Sequence, residues 1–244
     1  MRDQVKGRAR VLGAALLIVL VGVGCGAGAD SKPEAALQVP VESTTVAAAP
    51  ATAVVRVLIL GTSLTAGFGL DPDSAFPAVL QRLADSSGYR VNVVAAGLSG
   101  ETSAGALRRV DWLLRDRADV VVIETGANDG LRGLQVDTTR ANLVGIIRKV
   151  RTANQTVLVV LAQMEAPTNM GRTYTRDFHD TFMAVAREEQ VTLIPFFLDG
   201  VSGVRDLNQD DGIHPNEEGA RRGARNMWRA LAPLLRDLPG VTAR

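Results

Sequence analysis

The chain has 244 residues, 46% hydrophobic and 22% charged, an ordinary globular balance with enough apolar material for a sizeable core in one large domain or two small ones. The formal net charge of +1 hides an asymmetry: setting aside the four basic and one acidic residues of 1–24 leaves 23 basic against 25 acidic, a net of −2 that gives no support to a nucleic-acid partner. The only cysteine is Cys25, so the rest of the chain has no disulfide, no thiolate nucleophile and no Cys-ligated zinc.

Arg2, Lys6, Arg8 and Arg10 form a positive segment, followed by a fourteen-residue apolar run over 11–24. A membrane span needs about 20 apolar residues, so this shorter, glycine-rich run fits an export signal instead. Cys25 follows directly in VGVGC and resembles the lipid-modified cysteine of bacterial lipoproteins, with Gly22 where such signals usually carry Leu. Residues 25–53, rich in Ala, Pro, Thr and Val, read as a flexible tether. The expected layout is a signal peptide over 1–24, the tether, a folded domain over 54–238 and a disordered tail over 239–244. The expected location is the periplasm or cell envelope, with the membrane as a partner through a lipid on Cys25.

From residue 54 apolar runs alternate with helical patterns. Strands are predicted over 54–60, 90–95, 119–125, 156–162 and 191–195, and helices over 73–87, 102–116, 137–153, 175–190 and 216–235. Gly88 and Tyr89 mark a turn, and Asp137 is the expected N-cap of the third helix. The first run, VVRVLILG, is apolar without alternation, as in a strand covered on both faces. Strict alternation implies right-handed crossovers. The fold class is therefore α/β: a three-layer α/β/α domain on a five-stranded, parallel, doubly wound sheet of flavodoxin-like type.

Polar and glycine residues gather just past four strands: Gly61-Thr62-Ser63-Leu64, then Gly97 to Thr102, then Thr125 to Gly130, and Asp210 to Pro215 before the last helix. In a doubly wound sheet these loops share one edge, where ligands bind. Gly61, lacking a Cβ, is expected to supply the dihedrals of the turn into Ser63.

Ser63 is a candidate nucleophile, and a serine alcohol needs a base within hydrogen-bond reach. Two histidines exist. His179 lies inside a predicted amphipathic helix and reads as a half-buried or solvent-side residue. His214 lies at the shared edge, and the Asp-x-x-His spacing lets Asp211 bond its Nδ1–H while Nε2 faces Ser63. Donors for a developing oxyanion are available from the backbone N–H groups of Ser63 and Gly100 and from the side chain of Asn128. Leu131, Leu134, Pro167 and Met170 follow the third and fourth strands and are candidates for a shallow acyl groove.

These blocks, GTSL, SGETS, GANDGL and DDGIHP, resemble those of the SGNH or GDSL-type serine hydrolases. The resemblance puts Ser63 in the nucleophile position, Gly100 and Asn128 in the oxyanion hole, and Asp211 and His214 as acid and base, with Asp210 left a capping or solvent role. GLRG after Asn128, AQMEAPTNMG near Gln163 and IPFF near Pro195 resemble the bacterial periplasmic thioesterase, lysophospholipase and arylesterase branch. One position departs: the family's first block usually has Asp where this chain has Thr62. An Asp there accepts backbone hydrogen bonds with full charge, whereas a Thr hydroxyl both accepts and donates. The Gly-x-Ser-x-Gly elbow of the larger α/β-hydrolases is absent, since Thr65 stands two residues after Ser63.

The resemblance implies hydrolysis of small-molecule acyl esters, thioesters or lysophospholipids with no metal and no cofactor. The alternatives are a carbohydrate acetyl esterase of the same fold and a non-catalytic envelope lipid-binding protein with a loosened serine loop.

Overall fold

The computed structural model describes residues 54–241. The signal segment, Cys25 and the tether lie outside the described residues, as do 242–244.

Five strands form one parallel sheet: β1 (Val55–Gly61), β2 (Val91–Gly97), β3 (Val120–Glu124), β4 (Leu158–Ala162) and β5 (Thr192–Ile194), in the order β2-β1-β3-β4-β5. The expected doubly wound α/β class holds. β1 pairs with β2 on one side and with β3 on the other, bringing Gly61 level with both Gly97 and Glu124. The strand order reverses between β1 and β3, which places a ligand crevice at their carboxyl ends. The central strands β1 and β3 are the most buried, and every residue of β3 is buried. The edge strand β2 is mostly half-buried because one flank meets solvent.

Seven α-helices are present among the described residues: α1 (Ser63–Ala66), α2 (Phe76–Ser86), α3 (Ser103–Leu113), α4 (Ala127–Leu131), α5 (Val136–Ala153), α6 (Arg172–Glu188) and α7 (Glu217–Arg236). α2 packs with α7, and α5 packs with both α3 and α6, giving the two outer layers. In α7 the buried Ala220, Ala224, Met227, Leu231 and Leu235 recur at helical spacing along one stripe. Its N-cap is Asn216, whose side chain accepts from the Gly219 N–H at 3.0 Å.

Five of these helices correspond to the predicted ones. α1 and α4 went unread because four or five residues are too few to show a period. The expected cap at Asp137 is corrected: Gln135 is the N-cap, without a side-chain bond, and Asp137 sits in the first turn of α5. Gly88 turns as expected, with φ +76°. The packed chain runs past residue 238, since Val241 is buried against the core.

Candidate active site

The carboxyl end of β1 is built around a carboxylate that the sequence reading missed. Glu124 closes β3 and is fully buried. Its Oε2 accepts from the Thr62 N–H at 3.0 Å and from the Thr65 hydroxyl at 2.6 Å, and its Oε1 lies 3.0 Å from the Thr62 hydroxyl. Burial pushes the Glu124 carboxyl up to about 7, against the opposing pull of the Thr65 and Thr62 hydrogen bonds. This cluster also corrects the role of Gly61. Its φ is not positive, and a Cβ there would collide with Thr65 Oγ1 and Glu124 Oε2. Space, not dihedral freedom, requires the glycine. The chain then enters α1 with Ser63 as its first residue. The signal for Glu124 was a single charge ending the otherwise apolar run VVVIE.

The histidine loop meets the serine turn from the other side. His214 Nε2 lies 3.0 Å from Ser63 Oγ, and Nδ1 lies 2.6 Å from Asp211 Oδ2. Asp211 Oδ1 accepts from the backbone N–H groups of Ile213 and His214, both at 2.9 Å. The His214 side-chain bond first, then these two N–H donors, hold the Asp211 carboxyl down to about 2. Asp211 is thus a carboxylate over the whole neutral range, and it keeps Nδ1 protonated so that Nε2 is free to accept. The Phe68 ring lies against the imidazole with centroids 4.5 Å apart. Gln209 ties the two loops together by donating from Nε2 to the carbonyls of Phe68 at 2.7 Å and Pro215 at 3.0 Å. Neither Phe68 nor Gln209 carried a sequence signal, because their partners are defined only in space. Asp210 is exposed and takes no part in the His214 contacts.

Gly100 and Asn128 arrive from the loops after β2 and β3. Gly100 has φ +76°, a conformation that favours glycine, and its carbonyl accepts from Arg132 at 3.0 Å. One Nδ2–H of Asn128 donates to the Glu101 carbonyl at 3.0 Å, which locks the two loops and leaves the second N–H available. Among the described residues neither the Ser63 nor the Gly100 N–H donates to a protein acceptor. Buried charges hold these loops from behind. Arg109 grips Glu101 with Nε and Nη2 at 2.6–2.8 Å and donates to the carbonyls of Ala96 and Gly61. The carboxylate of Asp129, next to Asn128, accepts from the Ser103 N–H at 2.8 Å and from the Ser103 hydroxyl at 2.5 Å.

The four candidate groove residues are not all gathered at Ser63. Leu134 and Met170 line an open groove of about 800 Å³ between the start of α5 and α6, which does not include Ser63, Leu131 or Pro167. Leu131 is an exposed side chain on α4. A separate apolar crevice bounded by Ser63, Phe68, Phe76, Phe197 and His214 measures about 10 Å³, room for one water and not for an acyl chain. His179 lies apart from the site, half-exposed, with Nδ1 2.7 Å from Glu165. Among the described residues no three potential ligands cluster to hold a metal ion, and no helix is long and apolar enough to cross a membrane.

A serine oxygen facing an imidazole that is itself bound to a carboxylate is suited to acyl transfer. Known proteins share this frame. A family model described as GDSL-like lipase/acylhydrolase matches residues 59–222. Esterase TesA of Pseudomonas aeruginosa is 41% identical over 179 residues, covering 73% of this chain and 88% of that protein. Thioesterase 1/protease 1/lysophospholipase L1 of Escherichia coli is 39% identical over 179 residues, covering 73% and 84%. The crystal structure of the psychrotrophic esterase EstA from Pseudoalteromonas sp., inhibited by monoethylphosphonate, matches with a TM-score of 0.71 at 33% identity, covering 75% of this chain and 99% of that one. The matched segment takes in all four loops and more than half of the sequence, and the chain belongs to the GDSL-like lipase/acylhydrolase family.

Proposed function

We propose that the protein is a serine hydrolase that cleaves small-molecule acyl esters, acyl thioesters or lysophospholipids through an acyl-enzyme on Ser63. The observation that supports it most directly is the 3.0 Å approach of His214 Nε2 to Ser63 Oγ, with Nδ1 held by Asp211. The Ser63 proton passes to Nε2 as Oγ bonds to the carbonyl carbon. The oxyanion is met by the N–H groups of Ser63 and Gly100 and by Asn128 Nδ2, and Asp211 stabilises the imidazolium. The carbon–oxygen or carbon–sulfur bond then breaks, and His214 returns the proton to the leaving group. Water repeats the sequence on the acyl-enzyme, releasing the acid and restoring the Ser63 hydroxyl.

The names of the relatives, esterase, thioesterase and lysophospholipase, favour acyl substrates. In this reading the acyl chain leaves Ser63 past the exposed Leu131, which shares α4 with Asn128. A fluorophosphonate probe tests the nucleophile. Covalent labelling of the wild type and none of Ser63→Ala is expected, and a folded wild type that stays unlabelled overturns the reading. A chain-length panel of esters and thioesters then reads the substrate preference.

The basic segment and apolar run before Cys25 support export, with a lipid on Cys25 as the anchor. Mass spectrometry of the mature N-terminus decides this; an unmodified residue other than Cys25 at that position overturns the anchor.

A further inference from the structure

The Glu124 carboxyl has no catalytic step to perform, since Ser63, which it does not touch, already has His214. It is nevertheless fully buried, and among the described residues it forms no ion pair. The charged groups near the turn look elsewhere: Arg109 donates to the Gly61 carbonyl and to Glu101, and His214 faces Ser63 Oγ. A carboxyl without a cation at such a depth is costly unless every polar atom finds a partner. Here its partners, the backbone N–H and hydroxyl groups of Thr62 and Thr65, all belong to the turn that carries Ser63.

The chemistry of the two oxygens differs. Oε2 already accepts twice, from an N–H at 3.0 Å and from a hydroxyl at 2.6 Å, which leaves the carboxyl proton to Oε1. Oε1 meets the Thr62 hydroxyl at 3.0 Å, and a hydroxyl serves either role. When Glu124 is neutral, Oε1–H donates to Thr62 Oγ1. When it is ionised, Thr62 O–H donates to Oε1. An Asp at position 62 would set a second carboxylate against the first, and two carboxylates at that distance share one proton.

We propose that Glu124 is a positioning residue that holds the turn carrying Ser63 in both of its protonation states, with Thr62 as the partner that reverses its hydrogen bond between them. The inference rests on Ser63 being the nucleophile. It gives the Thr62 departure a physical sense: the hydroxyl replaces charge-based anchoring of the turn with one indifferent to the proton on Glu124.

The test measures kcat, KM, pH profile and fluorophosphonate labelling rate for full-length wild type, Glu124→Ala, Glu124→Gln, Thr62→Val and Thr62→Val with Glu124→Gln. Loss of the anchor shifts Ser63 against His214, and small misplacements of reacting groups cost about tenfold to a hundredfold. Glu124→Ala is therefore expected to lose about tenfold or more in kcat and labelling rate, with KM within about threefold. Glu124→Gln, which offers an oxygen at the Oε2 position and an N–H at the Oε1 position, recovers kcat to within about threefold of wild type. Thr62→Val acquires a loss of kcat on the alkaline side of neutrality, where the carboxylate lacks a donor on Oε1, and the double variant lacks that loss. If Glu124→Ala fails to fold, the other three variants decide. A Glu124→Gln as impaired as the alanine variant, or a Thr62→Val with the wild-type pH profile, overturns the proposal. So does wild-type labelling in Glu124→Ala. Failure of the wild type itself to label overturns the Ser63 reading instead, so the two failures are separate.

Discussion

The two halves of the site are held in opposite ways. The serine turn is buried and fixed by partners far along the chain: Glu124 reaches Thr62 across 62 residues and Thr65 across 59. The histidine loop is largely exposed and fixed by itself, with Asp211 bonding the backbone and ring of a residue three positions on. A turn anchored in the core makes the place of Ser63 part of folding, so damage there affects stability and the geometry at Ser63 together. A loop anchored by local bonds separates the two, so the Asp211 and His214 side chains can be removed with little effect on the core. Gln209 is the bridge, bonding Phe68 on one side and Pro215 on the other.

The largest expected effect tests the separation directly. His214→Ala should lower kcat by about 10⁴-fold or more, while the melting temperature stays close to that of the wild type. A large loss of stability would break the contrast between the halves. Asp211→Asn, which keeps the shape but loses the charge that selects the tautomer, should cost about 10³- to 10⁴-fold in kcat. Asn128→Ala removes one of the proposed oxyanion donors and should cost about 10²- to 10³-fold in kcat, with circular dichroism checking that the loop bonded through the Glu101 carbonyl persists.

A smaller effect separates the halves by pH. The folded Glu124 carboxyl sits at about 7 against an ordinary 4.5, so folding favours its neutral form. Its contribution to stability is fully present below its unfolded value and is lost as pH rises through the folded one. Melting curves between about pH 5 and about pH 8 should therefore show the wild type losing stability relative to Glu124→Gln. Asp211, held at about 2, contributes in the opposite sense: its share is present above its ordinary 3.8 and lost only as pH falls through about 2. Last and smallest, His179→Ala should leave kcat unchanged, since that histidine pairs with Glu165 away from Ser63. A substantial fall in kcat would reopen the choice of base.

The same contrast explains what could be read from sequence. Asp211 and His214 were legible because the Asp-x-x-His spacing closes on itself, and their bonds need no knowledge of the fold. The loops that carry Ser63, Gly100 and Asn128 were legible through alternation, since apolar runs and helices in turn force them onto one edge of a parallel sheet. Boundaries shifted by one to three residues at most element ends, and α1 and α4 were invisible because a single turn has no period. Gly61 was located correctly and explained wrongly, because the atoms that crowd it, from Thr65 and Glu124, meet only after β1 and β3 pair.

By itself, then, the sequence determined the α/β class, the four loops and the serine, histidine and carboxylate that meet there, because periodicity and local spacing are properties of neighbours in the chain. The tertiary structure alone decided what stands behind Ser63. Placing a lone glutamate of β3 beneath the end of β1 requires the register that sets Gly61 opposite Glu124, and that register is fixed by packing between strands about 60 residues apart.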